Sequence, residues 1–166
     1  MDVIKATLTV FVTCVGFTVP QPNVANAKPD PTTKVIATGF RLTSTQIDTG
    51  KTTEVPPGGI VAYRVEKSCY NWLLTFKPFA GQAGLTEMLL LPGRATVWNR
   101  ASDEQPTKVK RRGKRGVTPL VANGSAGFAT NGWCVAQGDP AGAYRFIIKQ
   151  GGRTVAKISF IVGDTI

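Results

Sequence analysis

The chain has 166 residues, with 20 Lys and Arg against 10 Asp and Glu and no histidine. A net charge of +10 directs it toward anionic partners. The missing imidazole excludes Ser-His-Asp and Cys-His catalysis and the commonest zinc ligand set.

A short start containing Lys5 is followed by an apolar run from Ala6 to Val19, Pro20, a polar segment and Ala25-Asn26-Ala27. A charged start, a short apolar core and small residues at −3 and −1 predict a secretory signal peptide over 1–27. A transmembrane helix needs about 20 apolar residues, and this run is shorter and broken by Thr and Gly. An uncleaved anchor is one alternative and a lipoprotein anchor at Cys14 another. Phe11-Val12-Thr13 is not the small-residue approach that a lipoprotein anchor requires. The signal predicts a periplasmic or secreted protein in an oxidising compartment. Cleavage would remove Cys14 and leave Cys69 and Cys134, an even pair predicted to form one structural disulfide. The close spacing of a redox-active pair is absent.

Residues 28–34 (KPDPTTK) read as a flexible leader, and 35–166 as one domain. Val35–Leu42 is predicted as the first strand, with Ile36, Thr38 and Phe40 on one side. Ser44–Glu54 is Thr-rich and suits an edge strand, and Pro56-Pro57-Gly58-Gly59 is a turn. Ile60–Lys67 is predicted to place Val61, Tyr63 and Val65 on one face. Trp72, Leu74 and Phe76 alternate as another strand. Pro78–Gly84 reads as a loop. Leu85–Leu91 fits a short helix or a buried strand, and Pro92-Gly93 ends it. Ala95–Asn99 reads as a short strand. Val117–Ala122 and Gly127–Gln137 flank an Asn123-Gly124 turn, with Asn131-Gly132 as a hairpin turn or a bulge. Ala143–Gln150 and Arg153–Val162, joined by Gly151-Gly152, predict a β-hairpin. Tyr144, Phe146 and Ile148 share one of its faces. Many short strands between turns indicate an all-β sandwich or barrel.

Residues Gly138-Asp139-Pro140-Ala141-Gly142-Ala143-Tyr144-Arg145-Phe146, with the closing Phe160-Ile161-Val162, resemble the end of immunoglobulin-like sandwich domains of exported proteins. That resemblance implies an antiparallel immunoglobulin-like β-sandwich, with Tyr144 placed as a tyrosine corner. Phe146 stands where antibody-type domains carry their second cysteine. The Cys69–Cys134 disulfide is therefore expected to join other positions. Trp72 and Trp133, near the two cysteines, are expected to pack on the disulfide in the core; carbohydrate stacking is the functional alternative.

No catalytic set emerges. Ser125 has Asn123 two residues before it, so it misses the nucleophile elbow. Asp139 belongs to its turn, and no carboxylate spacing proposes an acid–base pair. No metal or cofactor is expected. The strongest local feature is Lys108, Lys110, Arg111, Arg112, Lys114 and Arg115, six cations in eight residues. Such a run repels itself into an extended, exposed loop. It reads as a solvated loop, a site of proteolysis, or a dock for an anionic envelope component: a lipid headgroup, a glycan or an acidic protein. Nucleic acid is not the expected partner of an exported protein. The sequence thus points to a non-catalytic exported binding or accessory protein of a bacterial envelope. A small inhibitor or immunity-type protein acting on an exported enzyme is the alternative, and an uncharacterised hydrolase stands third.

Overall fold

A computed structural model describes residues 29, 30, 33–96 and 113–164. The segment read as a signal, with Cys14, lies outside the described residues. The strands are β1 (Ala37–Gln46), β2 (Thr52–Val55), β3 (Ile60–Ala62), β4 (Ser68–Phe76), β5 (Gln82–Leu90), β6 (Arg115–Asn123), β7 (Phe128–Cys134), β8 (Gly142–Gln150) and β9 (Arg153–Gly163). They form a four-stranded sheet in the order β2-β1-β4-β7 and a five-stranded sheet in the order β3-β9-β8-β5-β6. Every pairing is antiparallel except β3 with β9, which is parallel.

Alternation along the strands builds the core. Tyr70, Trp72, Leu74 and Phe76 of β4 are buried between the sheets, against Tyr144, Phe146, Ile148, Ile158, Phe160 and Val162 of the β8–β9 hairpin. Tyr70 is the hub, with ring centroids 6.0 Å from Tyr144, 5.9 Å from Phe146 and 5.1 Å from Phe160. These edge-on and tilted contacts are arrangements that aromatic quadrupoles favour. The hairpin turns at Gly151 (φ 53°) and Gly152 (φ 83°), two successive left-handed residues that any side chain would strain.

Several expectations change in the structure. Of the two alternatives for Leu85–Leu91 the strand holds, as far as Leu90, because Ala83, Leu85, Glu87 and Leu89 alternate inward on β5. The predicted Ile60–Lys67 strand stops at Ala62. The chain then turns through residues 65–67, where Glu66 takes a positive φ of 58°. Asn131-Gly132 is neither turn nor bulge: Asn131 pairs with Trp72 and Gly132 with Asn71 inside a continuous ladder. Ile36 is exposed and Phe40 half-buried, so the first strand packs through Phe40 and Leu42. Of Ala95–Asn99, only Ala95 and Thr96 are described, and neither is strand.

Cys69 and Cys134 are bonded and directly opposite in the β4–β7 register, with Cα atoms 3.8 Å apart. Tyr70 and Trp133, their inward neighbours, are buried in the core. The disulfide therefore staples two strands of one sheet on its outer face. It does not join the two sheets, as antibody-type bridges do. The expected tryptophan-on-disulfide packing fails for the same reason. Trp72 is three residues from Cys69 and Trp133 one residue from Cys134, and an odd offset in a strand points to the opposite face.

The segment read as the leader is described at Pro29, Asp30, Thr33 and Lys34. The Asp30 amide donates to Gln82 O over 3.1 Å, Gln150 Nε2 donates to Thr33 O, and Gln150 Oε1 accepts from the Val35 amide. Arg153 also donates to Val35 O over 3.1 Å.

The turn before β8 is pinned from three sides. The Tyr144 hydroxyl donates to Pro140 O over 2.9 Å, the Tyr63 hydroxyl to Asp139 O over 2.8 Å, and Asp139 Oδ2 accepts from the Ala136 amide. The Tyr144 bond closes the tyrosine corner. Burial pushes the Asp139 carboxyl up, opposed by the amide bond from Ala136. Burial also pushes the Tyr70 and Tyr144 phenols well above 10.0, and neighbouring charges add to it. A phenol raised in the native state contributes stability that is intact below the unfolded value and lost as pH rises above it. The free energy of unfolding should thus decline with pH above 10.0. In Tyr144→Phe the decline should be shallower, and at neutral pH the variant should lose about 1 kcal/mol for the missing hydrogen bond. Chemical denaturation across that pH range reads both, and an unchanged slope in the variant would contradict the account.

Candidate functional site

Two features are candidates for function: the end of the basic run and a polar cluster inside the sandwich. Of the six cations in the run, Lys114 and Arg115 are described, and both are exposed. Lys108, Lys110, Arg111 and Arg112 lie outside the described residues. Gly113, at a φ of 60°, turns the chain into β6. The exposed Arg94 reaches it from the other side: a Cβ on Gly113 would lie 3.6 Å from the Arg94 side chain. Arg94, Lys114 and Arg115 therefore meet where the chain leaves β5 and enters β6. The two ends of that connection are tied by the Leu91 amide donating to Lys114 O over 2.8 Å and the Ala95 amide to Gly113 O over 3.3 Å.

The second feature escapes a reading by residue type. Glu87 is fully buried, at an inward position of β5. Its Oε2 accepts from Trp72 Nε1 over 2.5 Å and from Asn131 Nδ2 over 2.9 Å. Its Oε1 accepts from Trp133 Nε1 over 2.7 Å. Trp72, Asn131 and Trp133 belong to the four-stranded sheet, and Glu87 to the five-stranded one. One carboxylate thus collects three N–H donors from the opposite sheet. Thr118, opposite Glu87 in the β5–β6 register, is also fully buried. The sequence carries the signal in Ala83-Gly-Leu-Thr-Glu87-Met-Leu89, where Glu87 shares the parity of Ala83, Leu85 and Leu89. Two tryptophans with indole N–H groups to satisfy complete it.

Chemically this cluster is a structural acceptor. The carboxylate is sealed from solvent, and no described route leads a substrate to it. No group of three or more His, Cys, Asp or Glu that could hold a metal occurs among the described residues. Ser125 sits in the short helical turn Gly124–Ala126, where its amide and hydroxyl both bond to Asn123 Oδ1. That is a cap for a turn, and the hydroxyl is committed to it. Trp72 and Trp133, the residues weighed for carbohydrate stacking, are core side chains with no exposed ring face. No described helix is long and apolar enough to cross a membrane.

A family model described as a PM0630 beta sandwich domain matches residues 39–163. Among solved structures, the chain is similar to an immunoglobulin-like protein from Pseudomonas aeruginosa. The TM-score is 0.54 at 19% sequence identity, over 78% of this chain and 97% of that one. No curated protein matches the chain.

Proposed function

The chain belongs to the PM0630 beta sandwich domain family, and from that premise we propose that it is an exported, non-catalytic binding or accessory protein. Its partner is anionic, and the basic segment Lys108–Arg115 engages it. The observation that carries this reading is the density of that run, with its described end open to solvent. Lys114 and Arg115 are exposed and Arg94 is drawn up beside them. Each interfacial cation near an anionic surface is worth about 1 kcal/mol and is weakened by salt. Export is supported by the Met1–Ala27 pattern and by a disulfide, a bond that persists in oxidising compartments.

The test replaces Lys108, Lys110, Arg111, Arg112, Lys114 and Arg115 with Ser and measures retention on anionic vesicles, acidic glycans and envelope extract. The expected result is a salt-sensitive retention that the substitutions abolish. Equal retention of variant and parent would end this reading. An inhibitor or immunity-type role is the second reading, favoured by the outer face of the five-stranded sheet, where Met88, Val117 and Ile147 lie among Arg115, Arg145 and Lys149.

A further inference from the structure

The outer faces of the two sheets differ in chemistry. The four-stranded sheet presents a Thr-rich face with charges of both signs, Arg41 and Glu54, beside Thr43, Thr45, Thr130 and the exposed Phe128. On the five-stranded sheet the register aligns Ile147 of β8, Met88 of β5 and Val117 of β6 in one outward row. On one side of that row Arg145, Leu90 and Arg115 stand side by side. On the other side are Lys149, Thr86 and Pro119. Lys157 of β9 pairs with Ile147 and ends the central row. Beyond these, Ile60, Ile161 and Val121 are 44%, 41% and 55% exposed.

The result is an apolar strip bordered by Arg115, Arg145, Lys149 and Lys157. None of the four forms an ion pair among the described residues. The one carboxylate in these five strands, Glu87, points inward. An apolar centre with a charged rim is the anatomy of a protein–protein interface.

We propose that this outer face is the docking surface for an acidic protein, one whose own apolar patch is edged with carboxylates. The inference rests on the reading of an anionic partner and names its class. Three considerations select the occupant. The single sign of the rim calls for carboxylates opposite it. A second copy of this chain would bring four cations against four. A bilayer is flat, whereas five strands twisting by about 20–25° per step turn through roughly 80–100°, which makes a saddle that another protein surface can match. Arg115 belongs both to this face and to the described end of the basic run.

The test uses protein purified after expression and export of the full chain, with methyl resonances recorded against two probes: a short peptide alternating Glu and Leu, and phosphatidylglycerol vesicles. The expected result is that the peptide shifts the methyls of Met88, Leu90, Val117 and Ile147. Arg145→Glu/Lys157→Glu should weaken it about tenfold or more, and a Lys–Leu peptide should bind that variant instead. If the peptide shifts only residues 108–115, the sheet-face inference fails while the basic-segment reading survives. Face methyls that move with vesicles alone, or with protein concentration alone, overturn it in favour of lipid or of a second copy. If neither probe moves any resonance, the sheet-face inference falls, and the basic-segment reading is decided by retention on acidic glycans and envelope extract.

Discussion

Glu87→Gln should cost about 3–5 kcal/mol of folding stability, from the loss of a charge-assisted hydrogen bond together with a buried donor left facing a donor. The carboxylate has acceptors on both oxygens, and the structure uses both: Oε2 for Trp72 and Asn131, Oε1 for Trp133. An amide keeps one oxygen and turns an NH2 toward an indole N–H or toward Asn131. Glu87→Leu should be at least as damaging, since it leaves two indole N–H groups and an amide without this acceptor in the sandwich core. Denaturant titration of each variant reads the loss. A double-mutant cycle locates it: Trp133→Phe should cost about 1–2 kcal/mol less in the Glu87→Leu background than in the parent. Additive costs would show that the indole and the carboxylate do not act together. The cluster's worth is specificity of packing as well as energy. Three donors on one sheet and one acceptor on the other fix how the two sheets slide and rotate over an otherwise apolar core, where apolar contacts alone tolerate many arrangements.

The same cluster shows where sequence reasoning ended. The C-terminal hairpin was legible because its apolar residues alternate without interruption and Gly151-Gly152 marks the turn. The tyrosine corner was legible because Asp139-Pro140 and Tyr144 lie within a few residues of one another. The disulfide partners followed from arithmetic on three cysteines. Glu87 was not legible as a core residue: charged side chains are almost never fully buried, so it blurred the alternation of β5 and left helix and strand open. Its donors come from β4 and β7, distant in sequence, and their meeting is a property of the sandwich. Asn131-Gly132 misled for a related reason. The pair suits a turn locally, but Asn131 is spent on Glu87 and Gly132 lies buried opposite Asn71. The basic run is visible in sequence, but the apolar strip beside Arg115 is not. It needs the pairing of β5, β6 and β8, none of which follows from any one strand.

Removing the disulfide should be the other large effect. Cys69 and Cys134 are 65 residues apart, and the loop-entropy model assigns such a closure about 4 kcal/mol through the unfolded state. The position of the bridge decides how that loss appears. It lies on the outer face of β4 and β7, in a register that the ladder already fixes through pairs such as Tyr70 with Trp133 and Trp72 with Asn131. The Val135 amide donating to Ser68 O over 2.8 Å continues that ladder past the bridge. Cys69→Ala/Cys134→Ala should therefore keep the native fold, with near-UV signals of the buried Trp72 and Trp133 unchanged, while the melting temperature drops by roughly 10–20 °C. Alanine is the informative substitute because both cysteines are nearly buried, and serine would add two unsatisfied hydroxyls to the cost. Reduction of the parent with dithiothreitol should lower stability by the same amount and leave the double variant unaffected. A variant as stable as the oxidised parent would show that the bridge merely records strands already held together. A loss near the expected size would make stability depend on the redox state of the compartment. The reduced protein would then be the less stable form of the same fold.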